Sequence, residues 1–190
     1  MEGKSEGNVF SYAMEAGLYL GGWFILRDSI EMFVYSNVVS FVGLCLLALL
    51  SLVSMLLTLY IVVKGTDIYK REVLKENVSY FRVLNYGFYL FFFASMLYSV
   101  FLFFCLILFN PDFLADQKSF YDAVFSQMKT MEGASPEMLD SLKSVYDKGF
   151  EGLLTQSPKD LAMNTLFGET TYGLFLCLVT SIFLNKKISK

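Results

Sequence analysis

No histidine occurs anywhere in the 190 residues. Histidine is the side chain that titrates nearest neutral pH and the commonest metal ligand, so serine–histidine, cysteine–histidine and histidine–zinc chemistries are excluded. Cysteine is nearly as scarce. Cys45, Cys105 and Cys177 fall in apolar stretches, their spacing fits no zinc or dithiol motif, and they read as small buried apolar residues. Charge is thin as well, at 17% against about a quarter in a soluble domain. A net charge of −3 gives no footprint for nucleic acid. No phosphate loop, nucleophile elbow, metal cluster or paired acid site is present. The chain is therefore expected not to be an enzyme, with no catalytic residue, no cofactor and no metal ligand. The opening residues lack the basic segment and small-residue cleavage site of a signal peptide, so the first apolar stretch is expected to be retained. Glu2 stands where myristoylation needs glycine, and no prenylation box closes the chain.

What is abundant is apolar surface: 55% hydrophobic residues, 17% aromatic, 20 of them phenylalanine. Residues 32–63 and 83–111 carry no charge at all, and each run exceeds the roughly 20 residues that cross a bilayer core. Two further stretches are of spanning length but interrupted, one by Glu15 and one by Glu169. The expected fold is an all-α membrane protein forming a single membrane domain over residues 1–190. Four transmembrane helices, at about 9–26, 38–63, 83–109 and 161–184, make an up-and-down bundle. Helices follow because a lipid-exposed backbone must satisfy its own hydrogen bonds.

Basic residues set the expected direction. Lys4, Lys64, Lys70, Arg71, Lys75, Arg82, Lys186, Lys187 and Lys190 fall on one side in short segments. Arg27, Lys118, Lys129, Lys143, Lys148 and Lys159 are spread over longer connections on the other. The first side is expected to be cytoplasmic, with both termini there and the protein multi-pass. The segment 110–160 is then extracytoplasmic.

That segment is patterned. Phe113, Leu114, Phe120, Tyr121, Val124, Phe125, Met128 and Met131 recur at helical spacing. After a break at Gly133-Ala-Ser-Pro136, Ser135 suits an N-cap and Pro136 a first helical position. Met138, Leu139, Leu142, Val145, Tyr146, Phe150, Leu153 and Leu154 then fall on one broad face. The expectation is an amphipathic helical hairpin inserted between the third and fourth spans. Its apolar stripe either packs on itself and the span ends, lies among lipid headgroups, or docks a partner protein or an amphipathic ligand, with Phe120, Phe125, Tyr146 and Phe150 as the partner contacts. The connection 64–82 is short and basic, with Asp67–Arg71 and Glu72–Lys75 spaced for local ion pairs. It serves as a positive anchor, or as a docking point through Tyr69, Arg71 and Glu72.

An intramembrane carboxylate is costly and raises a functional question. Glu15 lies near the start of the first span, beside Ala13, Gly17 and Gly21, whose four-residue spacing allows a close helix approach. At roughly 100° per residue those small residues point away from Glu15. Glu15 is either a snorkelling or packing carboxylate, or a site for a proton, cation or partner. Glu169 lies near the outer end of the last span, on the side where Arg27 ends the first, so an Arg27–Glu169 pair is possible and a Glu15–Glu169 dyad is not expected. The third span is loaded with aromatics from Phe88 to Phe104. They serve lipid contact and packing, or line a groove for a prenyl or acyl chain.

With the spans placed, a resemblance emerges. Tyr69-Lys-Arg-Glu72, Val78-Ser-Tyr-Phe81, Gly87 entering a span, Asn110-Pro-Asp-Phe113, Ser135-Pro-Glu-Met138 and the Lys186-Lys187 tail are similar to a family of uncharacterised four-helix inner-membrane proteins common in Bacteroidota, a domain of unknown function. The match covers nearly the whole chain and departs at Asn77, where the family usually has glycine. No activity or catalytic residue comes with the resemblance. It implies a partner, because members are often encoded beside a membrane glycosyltransferase of the polyprenyl-phosphate type. The functional expectation is a non-enzymatic membrane subunit that anchors or stabilises such a partner, or forms a homo-oligomer, in contact with membrane lipid. The alternative is a small oligomeric transporter, flippase component or channel using the intramembrane carboxylates.

Overall fold

In the computed structural model, residues 6–71, 80–130 and 135–185 are described, with side chains for 9–71, 80–130 and 135–180. Glu72, Lys75, Asn77, Val78, Met131, Gly133, Lys4 and the lysines at 186, 187 and 190 lie outside the described residues. Among the described residues all regular structure is helical: α1 (Glu6–Asn37), α2 (Phe41–Tyr69), α3 (Tyr80–Phe104, extended by a π-helical turn, Cys105–Phe109), α4 (Phe113–Lys129), α5 (Pro136–Leu154) and α6 (Pro158–Asn185). Among the described residues, three helical segments are long and apolar enough to cross a membrane: Val9–Asn37, Phe41–Tyr69 and Tyr80–Phe109. At about 1.5 Å per residue, each is about 43–45 Å long, against a hydrocarbon core of about 30 Å.

The first helix does not stop at Leu26. It continues through Arg27, Asp28 and Glu31 to Asn37. Arg27 pairs with both Asp28 and Glu31 along the helix, so the charged turn does not end it. Asn37 closes α1 by donating from Nδ2 to the Phe33 carbonyl, 2.9 Å away. Ser40 then opens α2, its hydroxyl accepting from the Gly43 N–H at 3.4 Å. At the far end of α3 the Asn110 N–H donates to the Cys105 carbonyl at 2.8 Å, the five-residue spacing of a π turn. Ser157 starts α6, accepting from the Asp160 N–H at 3.2 Å, with Pro158 at the first helical position.

The chain divides into two compact units, and α1, α2 and α3 each contribute to both. The first unit comprises Met1–Ile25, Ser54–Phe101 and Met163–Lys190. Its core is Ala13, Leu20, Phe24, Val62, Tyr69, Tyr86, Leu90, Phe91, Ala94, Tyr98 and Cys177. Small residues let helices approach closely. A Cβ on Gly17 would lie 2.6 Å from the Leu90 carbonyl oxygen, and one on Gly21 would lie 2.9 Å from that of Ala94. One on Gly87 would strike Cys177, and one on Gly173 would strike the Phe91 ring. The expected close approach through Ala13, Gly17 and Gly21 is thus made against α3. Ser54, Thr58 and Thr66 are buried on α2, while Met55, Leu56, Tyr60 and Val63 are exposed. Polar groups inside and large apolar groups outside reverse the pattern of a water-soluble helix, as suits a helix whose outer face meets lipid.

The second unit comprises Leu26–Val53 and Leu102–Ala162. Its core is Val34, Tyr35, Leu47, Leu102, Leu106, Phe113, Phe120 and Val124. The α4 helix clamps the link between α1 and α2: Gln127 accepts from the Phe41 N–H at 3.2 Å and donates to the Val39 carbonyl at 3.4 Å. Along α4, Gln117 donates to the Tyr35 hydroxyl at 3.1 Å, and the Ser36 hydroxyl donates to Asp116 at 3.2 Å. The α4 and α5 helices pack together.

Candidate functional site

The α1 helix has two faces in the first unit. Ala13, Gly17, Leu20 and Phe24 are buried, while Phe10, Met14, Leu18 and Tyr19 are exposed. Glu15 is exposed on the second face, flanked by Met14, Leu18 and Tyr19. Among the described residues it makes no hydrogen bond or ion pair, although it lies within electrostatic reach of Tyr86. Gly22, two turns further along that face, has open space where a Cβ would stand. The outward strip of α1 is therefore a carboxylate set in apolar surface with a gap beyond it.

Arg27 belongs to the second unit, where its Nη2 meets Asp28 Oδ1 at 2.9 Å and its Nε meets Glu31 Oε1 at 3.3 Å. Asp28 is only 4% exposed. Asp28 and Glu31 were not among the residues that sequence reasoning singled out, because the first span was expected to end before them. The available signal was the spacing of Arg27 and Glu31, one helical turn apart. Beside this group the Cys105 thiol donates to the Met32 sulfur at 3.4 Å. Glu169 belongs to the first unit, is half-buried and has an interaction partner. Among the described residues no group of three metal-ligating side chains converges.

The aromatic residues expected as partner contacts are mostly interior. Tyr69 is buried and stacks on Tyr86 with ring centres 4.7 Å apart and planes 6° from parallel. Phe120 and Phe150 are buried, and Phe125 and Tyr146 are half-buried. Tyr121, Phe125 and Phe150 ring Tyr146, with centroids 4.8, 6.0 and 4.9 Å away. These rings hold α4 to α5 and the chain to itself. A side chain already covered by its own fold offers little area to a partner. Arg71 is exposed and paired with Asp67 at 2.8 Å, the expected helical spacing. The broad face of α5 is split: Leu139 and Phe150 turn inward, while Met138, Leu142, Val145 and Leu154 stay exposed. Cys105 and Cys177 are buried as expected, but Cys45 is exposed.

Charge ties α4 to α5. Lys143 bonds Asp122, and meets Asp147 at 3.1 Å. Lys118 bonds Asp122 at 2.8 Å and reaches Asp147 at 3.7 Å, while Lys129 pairs with Asp140 at 2.5 Å. Hydrogen bonds from Lys118, then Lys143, hold the Asp122 carboxyl below the ordinary carboxylate range. Burial, then neighbouring Tyr121 and the Asp122 and Asp147 carboxylates, push the Tyr146 hydroxyl upward. That hydroxyl is buried without a hydrogen-bond partner among the described residues.

A protein-family model described as "Protein of unknown function (DUF4199)" matches residues 12–186. The chain belongs to that family, in line with the resemblance of its motifs to a domain of unknown function. No curated protein and no solved structure matches it.

Proposed function

We propose that this member of the DUF4199 family is a non-enzymatic integral membrane subunit that holds a membrane-protein partner against the outward face of α1. The observation that carries the reading is Glu15. A carboxylate on a span, flanked by exposed Met14, Leu18 and Tyr19 and lacking a partner on its own chain among the described residues, is costly in lipid. A donor or cation on a neighbouring helix would remove that cost. The reading includes α6 as a fourth span: its 28 residues extend about 42 Å, and Glu169 is its only charge after the first turn. It places both termini in the cytoplasm of a bacterium and α4–α5 outside, as the distribution of basic residues argues. A polyprenyl-phosphate-type glycosyltransferase is the partner class that the family resemblance implies.

The test is purification of the tagged protein from its native membrane in mild detergent. A single stoichiometric partner is expected, released by Glu15→Leu. A wild-type protein that emerges alone, or a partner that stays bound to Glu15→Leu, sinks the proposal.

A second reading rests on Asp28. A buried carboxylate beside Arg27, in a helix long enough to cross the bilayer, is a feature that proton and ion paths use. The chain would then be a small oligomeric transporter, flippase component or channel. Loss of proteoliposome flux in Asp28→Asn, with folding intact, would support it; unchanged flux would remove it.

A further inference from the structure

A groove of about 440 Å³ lies within the first unit, lined by Phe81, Arg82, Leu84, Asn85 and Phe88 of α3 and by Leu174 of α6. Phe81, Leu84, Asn85 and Phe88 share one face, being spaced three, four and seven residues apart. The Phe88 ring stacks on Phe92 with centroids 6.1 Å apart, which carries the apolar wall further along the helix. Polar groups occur only toward the start of α3, where Arg82 and Asn85 are exposed. Among the described residues, Arg82 makes no hydrogen bond or ion pair, and no carboxylate lines the groove.

The depth of these groups follows from the helix that carries them. Tyr80–Phe109 is 30 residues long, or about 45 Å, so it overshoots the hydrocarbon core at its ends. Arg82, in the first turn, then stands at headgroup level, and Phe88 stands about two turns deeper, at acyl depth. A cation and an amide above an apolar trough match a phosphodiester above a fatty chain. With a cation and no carboxylate among the described lining residues, the balance of charge there favours a net anionic lipid over a zwitterionic one.

We infer that this groove binds an anionic phospholipid, its phosphate on Arg82 and Asn85 and one acyl chain along Phe81, Leu84, Phe88 and Leu174. This goes beyond the partner reading and does not depend on it, since no residue of the α1 face takes part.

The experiment is native mass spectrometry of the full-length protein released from mixed micelles holding equal amounts of phosphatidylglycerol and phosphatidylcholine. One phosphatidylglycerol adduct is expected to dominate. Arg82→Gln should lower the preference roughly fivefold, the effect of one basic residue at an anionic surface. Arg82→Lys should keep most of it, and Leu174→Trp, which fills the trough, should reduce adducts of both lipids. Arg71→Gln removes an exposed arginine that does not line the groove and should leave the preference unchanged. Equal adducts of the two lipids on the wild-type protein, or a preference that survives Arg82→Gln, would overturn the inference. So would an equal loss in Arg71→Gln, which would mean diffuse surface charge rather than a groove.

Discussion

The two units are built from the same three long helices yet are held together differently. In the first, glycine and alanine bring backbones close enough that a single added Cβ would collide at Gly17, Gly21, Gly87 or Gly173. The second has one such approach, Gly43 against the Phe120 ring, and adds charged side chains that join one helix to another through Asp122, Lys143, Lys118 and Asp147, with the Gln127 amide clipping a helix link. The two devices suit different surroundings. Where lipid removes the hydrophobic drive between helices, close van der Waals packing takes over. Where water reaches the helices, an amphipathic stripe supplies the adhesion, and ion pairs add register at modest strength.

The largest expected effect comes from breaking the small-residue packing. Gly173→Leu would drive a side chain through the buried Phe91 ring and should abolish accumulation of folded protein. Gly17→Ala and Gly21→Ala, which crowd the Leu90 and Ala94 carbonyls, should each cost about 1–3 kcal/mol. Gly22→Ala is the internal control. Nothing lies within 4 Å of its Cβ position, so it should stabilise the helix by up to ~1 kcal/mol. Thermal unfolding in detergent reads all three alanine variants. A Gly22→Ala loss as large as that of Gly17→Ala would mean that helix propensity, rather than close approach, sets the difference.

The charge network should give a smaller effect with a distinct signature. The Asp122 carboxyl titrates below its ordinary range because Lys118 and Lys143 bond it. A depressed carboxylate contributes stability above its unfolded value of about 3.9, and that contribution fades as pH falls through the folded value. The Asp122 side chain is 36% exposed, so screening limits the loss in Asp122→Asn to about 1 kcal/mol or less. Stability of the wild type should fall as pH drops below about 5, and Asp122→Asn should flatten that part of the curve. An unchanged curve would assign acid sensitivity to other groups.

How much of this was legible beforehand varies with the kind of signal. The uncharged runs, the Ala13-Gly17-Gly21 spacing, the Asp67–Arg71 pair and the Ser135-Pro136 start are local or periodic patterns, and they read correctly from the residues alone. The length of α1 did not, because counting charges treats Arg27, Asp28 and Glu31 as an interruption, while on the helix one arginine pairs with both carboxylates. Tyr69 misled for a related reason. A tyrosine beside basic residues resembles a docking point, but only the fold brings it face to face with Tyr86. The broad apolar face of α5 was real, yet its division into an inward edge at Leu139 and Phe150 and an outward edge at Met138, Leu142 and Val145 depends on where α4 lies. The direction of Glu15 was legible only as an angle away from Gly17; that this angle leads to uncovered surface required the whole bundle.

The smallest effect sharpens the comparison at one helix end. Ser135 caps α5, its hydroxyl accepting from the Met138 N–H, but at 3.4 Å the bond is long. Pro136 already holds the first turn in helical geometry, so Ser135→Ala should cost only about 0.5 kcal/mol, the low end for a lost cap. That converts to a roughly twofold rise in local opening. Global unfolding should barely move, whereas hydrogen exchange at Met138 should quicken by about that factor. If α5 relied on its cap more than on Tyr146, Phe150 and the Asp122–Lys143 bond, Ser135→Ala would loosen the helix along its whole length. Protection that changes at Met138 and holds at Phe150 would show that side-chain contacts across the α4–α5 pair keep the helix in place, with the cap trimming only its first turn.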